Sequence, residues 1–220
     1  MVPSIEPAQW IADRIMQLVR ERSGKQLDSP RLILGIAGPP GAGKSTVSRR
    51  VRELLEPVLS EKTVVVPMDG YHFEDGYLRD IGLHHLKGVP ETFDAESFVS
   101  LVARLHDNSD EPARFPVFDR AIESSIADAG LVAPEHTIVL VEGNYLLLER
   151  EPWHRLRYYF DEVYYLDVPL DILRERLIAR HMEGGRDRSG AESKVEGTDM
   201  PNAALAAGSA HLSQKILENY

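Results

Sequence analysis

The chain has 220 residues, 43% of them hydrophobic, a formal net charge of -10 and no cysteine. One sizeable α/β domain fits that length, and two independent domains do not. The acidic balance argues against nucleic acid, and the missing cysteines exclude disulfides, thiolate catalysis and Cys-ligated zinc, which fits a reducing, cytoplasmic setting.

In chain order, residues 7 to 20 place Ile11, Ile15, Leu18 and Val19 on one face, an amphipathic helix in an N-terminal segment 1–29 that Gly24 closes. Leu32, Ile33, Leu34 and Ile36 read as a short buried strand, and Val47, Val51, Leu54, Leu55 and Val58 recur at helical spacing after it. Thr63 to Val66 is β-branched and predicts a second buried strand with Asp69 and Gly70 just past its end. Glu91 to His106 is a helix capped by Asp94. Thr137 to Val141 and Val163 to Val168 are two further strands, the second leading through Pro169 into a helix with Leu173 and Leu177. Gly184 to Asp199 is polar and glycine-rich and reads as a mobile flap, and Ser209 to Tyr220 has no plain strand pattern. Strands that alternate with helices predict a mainly parallel sheet. No stretch approaches the ~18 apolar residues of a membrane span, and Met1 to Trp10 lacks a basic leader.

Between the first strand and its helix stands Gly38-Pro39-Pro40-Gly41-Ala42-Gly43-Lys44-Ser45-Thr46, which fits G-x-x-x-x-G-K-[ST]. Inward N–H groups of such a loop form an anion nest, and the helix dipole adds to it. Lys44 reaches the β/γ-phosphates of ATP, and Ser45 holds Mg²⁺. Pro39 and Pro40 have no N–H, so Gly41, Ala42, Gly43, Lys44 and Ser45 are the donors.

Ligands of open α/β sheets sit at the carboxyl ends of strands, where this sequence has Asp69 and Glu142. Phosphoryl transfer needs a carboxylate that takes the acceptor's proton and a partner for the metal, and these two can supply both. Arg174, Arg176, Arg180, Arg186 and Arg188 crowd the last helix and the flap, a basic excess that could close over the triphosphate.

In order, the phosphate loop, Met68-Asp69-Gly70-Tyr71-His72, Lys87-Gly88-Val89-Pro90-Glu91-Thr92-Phe93-Asp94, Pro116-Val117-Phe118-Asp119-Arg120, Val141-Glu142-Gly143-Asn144 and Asp199-Met200-Pro201-Asn202-Ala203 resemble the phosphoribulokinase, uridine kinase and bacterial pantothenate kinase family. Within it the chain is most similar to a subgroup labelled putative fructose transport system kinases or nucleoside/nucleotide kinase-like proteins. The resemblance implies a three-layer P-loop NTPase fold, its mainly parallel central sheet in the order 2-3-1-4-5, with flanking helices and a lid at 180–200. It implies Asp69 as base, Glu142 as the Walker B-like carboxylate on the metal and Arg176 and Arg180 as lid arginines. ATP is expected at Gly38, Gly41, Ala42, Gly43, Lys44, Ser45, Thr46, Asn202 and Ala203, and the acceptor at Asp69, His72, Lys87, Arg120 and Glu142. The activity implied is phosphorylation of a small metabolite by Mg-ATP, a sugar ahead of nucleosides and pantothenate. A regulatory NTPase is the reading from another class, but its N-K-x-D guanine motif is absent and the sole D-x-x-G, Asp187 to Gly190, lies in the flap. A homodimer, the commonest assembly, is the only protein partner expected.

Overall fold

The computed structural model describes residues 6–23, 31–107 and 110–220. Helix α1 (Pro7–Arg22) precedes β1 (Leu32–Ala37), and Gly24, the expected stop of α1, lies outside the described residues. After the phosphate loop come α2 (Lys44–Leu54), α3 (Pro57–Glu61), β2 (Thr63–Pro67), α4 (Asp75–Asp80) and α5 (Ala95–Asp107). An antiparallel hairpin, β3 (Ala113–Asp119) and β4 (Ser124–Val132), leads to β5 (Ile138–Gly143), β6 (Glu162–Asp167), α6 (Leu170–Glu183), α7 (Arg188–Lys194), α8 (Met200–Gly208) and β7 (Lys215–Glu218).

The central sheet has five parallel strands in the order β2-β5-β1-β6-β7. Counted without the hairpin, that is 2-3-1-4-5, the expected order. Both faces of this sheet are covered, which explains why β1 and β5 are continuous apolar runs with no polar alternation. Leu32, Leu34 and Ile36 of β1 pack with Ile11 and Ile15 of α1 and Val47 and Val51 of α2. Ile33 and Ala37 turn to the other face, toward Phe98 and Val102 of α5 and Trp153.

Three expectations change. The helix after the phosphate loop stops at Leu54, because Leu55 turns extended and Pro57 opens α3, and Val58 is left 63% exposed. The segment read as a flap is helical: Asp187 caps α7 by accepting from Gly190 N at 2.8 Å, and a π-helical turn at Val195–Asp199 joins it to α8. Ala191 and Val195 pack on Leu177 and Ile178 of α6, so two apolar residues suffice to seat a polar-looking stretch. The C-terminal segment supplies the fifth strand, β7, although only Leu217 of it is buried. The hairpin was not foreseen at all. Asp94 does cap α5, accepting from Ser97 N at 3.1 Å.

Register positions the site. Pro67 and Ile36 pair with Glu142 from opposite sides, so the loop after β1, the carboxylate on β5 and Asp69 after β2 meet at one edge.

Candidate active site

The phosphate loop ends at Gly43, whose φ of 83° lies in the left-handed region and directs the chain into α2. The N–H groups of Lys44, Ser45 and Thr46, in the first helical turn, have no partner within the helix and are available to an anion. Ala42 differs from expectation, since its N–H closes the loop on Pro39 O at 3.1 Å. Lys44 is buried, and its ammonium donates to Gly38 O (3.0 Å), Pro39 O (2.9 Å) and Asn144 Oδ1 (2.6 Å). Burial pushes its pKa down, and the charges of Glu142 and Asp69 oppose that shift.

Ser45 donates its hydroxyl to Glu142 Oε1 at 2.6 Å. Glu142 is 6% exposed; burial and the nearby charge of Asp69 push its pKa up, while Lys44 and the Ser45 hydrogen bond pull it down. A hydroxyl and a carboxylate at the start of a phosphate-loop helix are hard oxygen donors of the type Mg²⁺ takes alongside phosphate oxygens. No cluster of three or more His, Cys, Asp or Glu side chains suited to a metal occurs among the described residues.

Asp69 sits in the 3₁₀ turn Met68–Tyr71 that follows β2. Gly70 lets the hairpin close over it: a Cβ there would stand 2.0 Å from Pro116 O. The hairpin delivers Arg120, which meets Asp69 Oδ2 at 3.4 Å. Ser45, Asp69, Arg120 and Glu142 then share one cleft of about 570 Å³, walled by α2, β2 and β3.

The remaining predicted residues divide. His72 stacks on Phe93 at 3.9 Å and Lys87 pairs with Asp75 at 2.6 Å; neither lines the cleft, though both ring it through Phe118. Burial takes the His72 pKa down to about 4. Arg180 feels the charges of Arg120 and Asp69, and partial desolvation followed by Arg120 pushes its pKa down. Arg176 instead donates to Asn219 O at 3.4 Å. Arg174 and Arg188 are taken up by Glu196 (2.5 Å) and Glu192 (3.0 Å). Asn202 is 3% exposed with its amide against Gly88, and Ala203 is 1% exposed in the core that also holds Ala42. Neither side chain is presented on an open surface, because α8 packs by this face.

Sequence reasoning missed Asn144 and Asn219. Asn144 follows Glu142 by two residues, a signal that was available. Asn219 donates to Ala42 O at 2.7 Å from the far end of the chain, and nothing local marks it.

The family model described as AAA domain matches residues 34–200. A Schizosaccharomyces pombe protein named "Putative uridine kinase C227.14" is 32% identical over 202 residues, covering 90% of this chain and 83% of its own. "Uncharacterized protein YggC" of Escherichia coli K12 is 34% identical over 190 residues, 86% and 78% respectively. The crystal structure of a "putative fructose transport system kinase" from Silicibacter sp. TM1040 superposes with a TM-score of 0.82 at 33% identity, over 97% of this chain and 99% of that one. With a family model over most of the chain and nearly full-length similarity to proteins named as kinases, the chain belongs to the P-loop kinases that the AAA domain description covers, as an ATP-dependent kinase.

Proposed function

We propose that the protein transfers the γ-phosphoryl group of Mg-ATP to a hydroxyl of a small metabolite, with a sugar or sugar-like polyol as the preferred acceptor. The observation that carries this reading is that Ser45, Asp69 and Glu142 open onto one cleft large enough for a metabolite. The acceptor enters along that cleft, and Asp69, oriented by Arg120, takes the proton of its hydroxyl. Ser45 and Glu142 would hold Mg²⁺, which when bound neutralises charge on the phosphates. Lys44 and the first N–H groups of α2 bind the triphosphate, and Arg176 and Arg180 stabilise charge spread over the transferring group.

Residues 180–200 act as the lid. Their hydrogen exchange is expected to slow when a non-hydrolysable ATP analogue is added, and equal exchange with and without it would argue for a fixed surface element.

The relative whose name mentions a fructose transport system supports the sugar. A nucleoside is the second reading, favoured by Phe115 and Phe118 in the cleft wall and by the relative named a uridine kinase. The test is coupled ADP release under one Mg-ATP condition, comparing kcat/KM for fructose and related sugars with uridine, cytidine and pantothenate. A nucleoside or pantothenate ahead of every sugar by about tenfold reverses the preference, and no ADP release with any of these or with the phosphate esters of the sugars defeats the transfer reading itself.

A further inference from the structure

Helix α2 carries Arg49 and Arg52, three residues apart and so on one face, and both line the cleft. Neither guanidinium makes a hydrogen bond or ion pair with any described residue. The neighbouring Arg50 is taken by Glu53 at 3.1 Å. The cleft's other acids are taken as well, Asp69 by Arg120 and Glu142 by Ser45. In a chain of net charge -10, two unpaired arginines on one concave wall are a local exception. Both arginines are exposed, and they share the cleft with the apolar side chains of Val65, Phe115 and Val117. A guanidinium fork matches phosphate and carboxylate oxygens in pairs.

Helix α2 also acts as a ruler. At ~1.5 Å per residue, Arg49 and Arg52 lie about 6 and about 10 Å farther along its axis than Ser45. Ser45 marks the phosphoryl end of the cleft, and Asp69 opens onto the same space.

We infer that the acceptor carries an anionic group, a phosphate or a carboxylate, which Arg49 and Arg52 hold while the hydroxyl at the other end of the molecule meets Asp69. This rests on the kinase reading above and narrows its acceptor from polyols in general to those bearing an anion, such as a phosphorylated sugar or a hydroxy acid. Specificity then comes from a neutral analogue offering the two arginines no anion to pair with.

The first measurement fills the phosphate loop with Mg²⁺ and a non-hydrolysable ATP analogue, then titrates the protein with inorganic phosphate and, separately, acetate by calorimetry. Binding of at least one is expected, and Arg49→Gln/Arg52→Gln should weaken it about 10- to 100-fold without changing affinity for the analogue. The stronger of the two anions identifies which group the acceptor carries. No binding of either, or equal binding by the variant, overturns the inference. The second measurement is ADP release with matched pairs, a neutral polyol against its phosphate ester and against its carboxylate. The anionic member should lead by about tenfold or more in kcat/KM, and the double variant should erase that lead through KM with kcat nearly kept. Neutral members turned over as well as anionic ones would overturn the anion site and leave the kinase reading intact, whereas anion binding without ADP release from any pair would sustain the site and defeat that reading.

Discussion

On the phosphate side, the loop and the first turn of α2 present main-chain N–H groups, a left-handed Gly43 and one buried lysine, all within nine consecutive residues. On the acceptor side the wall is assembled from side chains of α2, β2, β3 and the end of β5, which are separated by up to 97 positions between Ser45 and Glu142. A site made of backbone in one segment is fixed by local geometry and tolerates no alternative chemistry. A site made of side chains from several segments can be retuned residue by residue on the same fold, which is why kinases of one architecture take different acceptors.

The sharpest way to break this contrast is Lys44→Ala. Loss of the Lys44 ammonium should cut kcat/KM by about 10³- to 10⁵-fold, the scale on which a single phosphate-contacting cation acts in such enzymes. Calorimetry should show weakened ATP binding with the circular dichroism spectrum kept, and unchanged turnover would remove Lys44 from the site.

Asp69→Asn probes the other side. The amide keeps the shape but takes no proton, so kcat should fall by about 10²- to 10⁴-fold while ATP affinity stays near normal. If ATP or Mg²⁺ affinity falls and kcat does not, Asp69 belongs with Glu142 on the metal side.

Gly70→Ala separates the two sides by packing alone. The new Cβ meets Pro116 O, 2.0 Å away and part of the backbone, so the hairpin must shift. Stability should drop by about 1–3 kcal/mol in urea unfolding. Acceptor KM should rise while ATP KM changes little, and an unchanged unfolding midpoint would mean that the hairpin is not seated on this turn.

The last test is a pH dependence. The His72 pKa falls from 6.5 unfolded to about 4 folded, chiefly through burial. The unfolded chain therefore binds the proton first, and stability present above pH 6.5 is lost as the pH falls toward 4. Urea unfolding at pH 7, 6 and 5 should show that loss, and His72→Phe, which keeps the stack on Phe93, should flatten it. The same slope in the variant would assign the dependence to other groups.

Legibility in the sequence follows the same division. The phosphate loop, Asp69, Glu142 and four of the five strands of the central sheet were readable, because each is a short pattern with one physical meaning: a glycine-lysine spacing, or a β-branched or apolar run that ends near a carboxylate. Arg120 was named but its partner was not, since the hairpin that carries it to Asp69 closes across 51 positions. The segment 184–199 was read as a flap because polarity and glycine dominate it, whereas its helix needs only Asp187 as a cap and Ala191 and Val195 as anchors. β7 was not recognised, because an edge strand with one buried side chain leaves almost no hydrophobic signature.

By itself, then, the sequence determined the fold class and the phosphate chemistry, because period, spacing and main-chain geometry act within a few residues of one another, whereas the order of the central strands came from the family resemblance. Only the tertiary structure decided which side chains share the acceptor cleft. Arg49 and Arg52 look in sequence like any solvated helix face, and only the packing of β2 and the hairpin beside α2 puts them on the wall of a cleft.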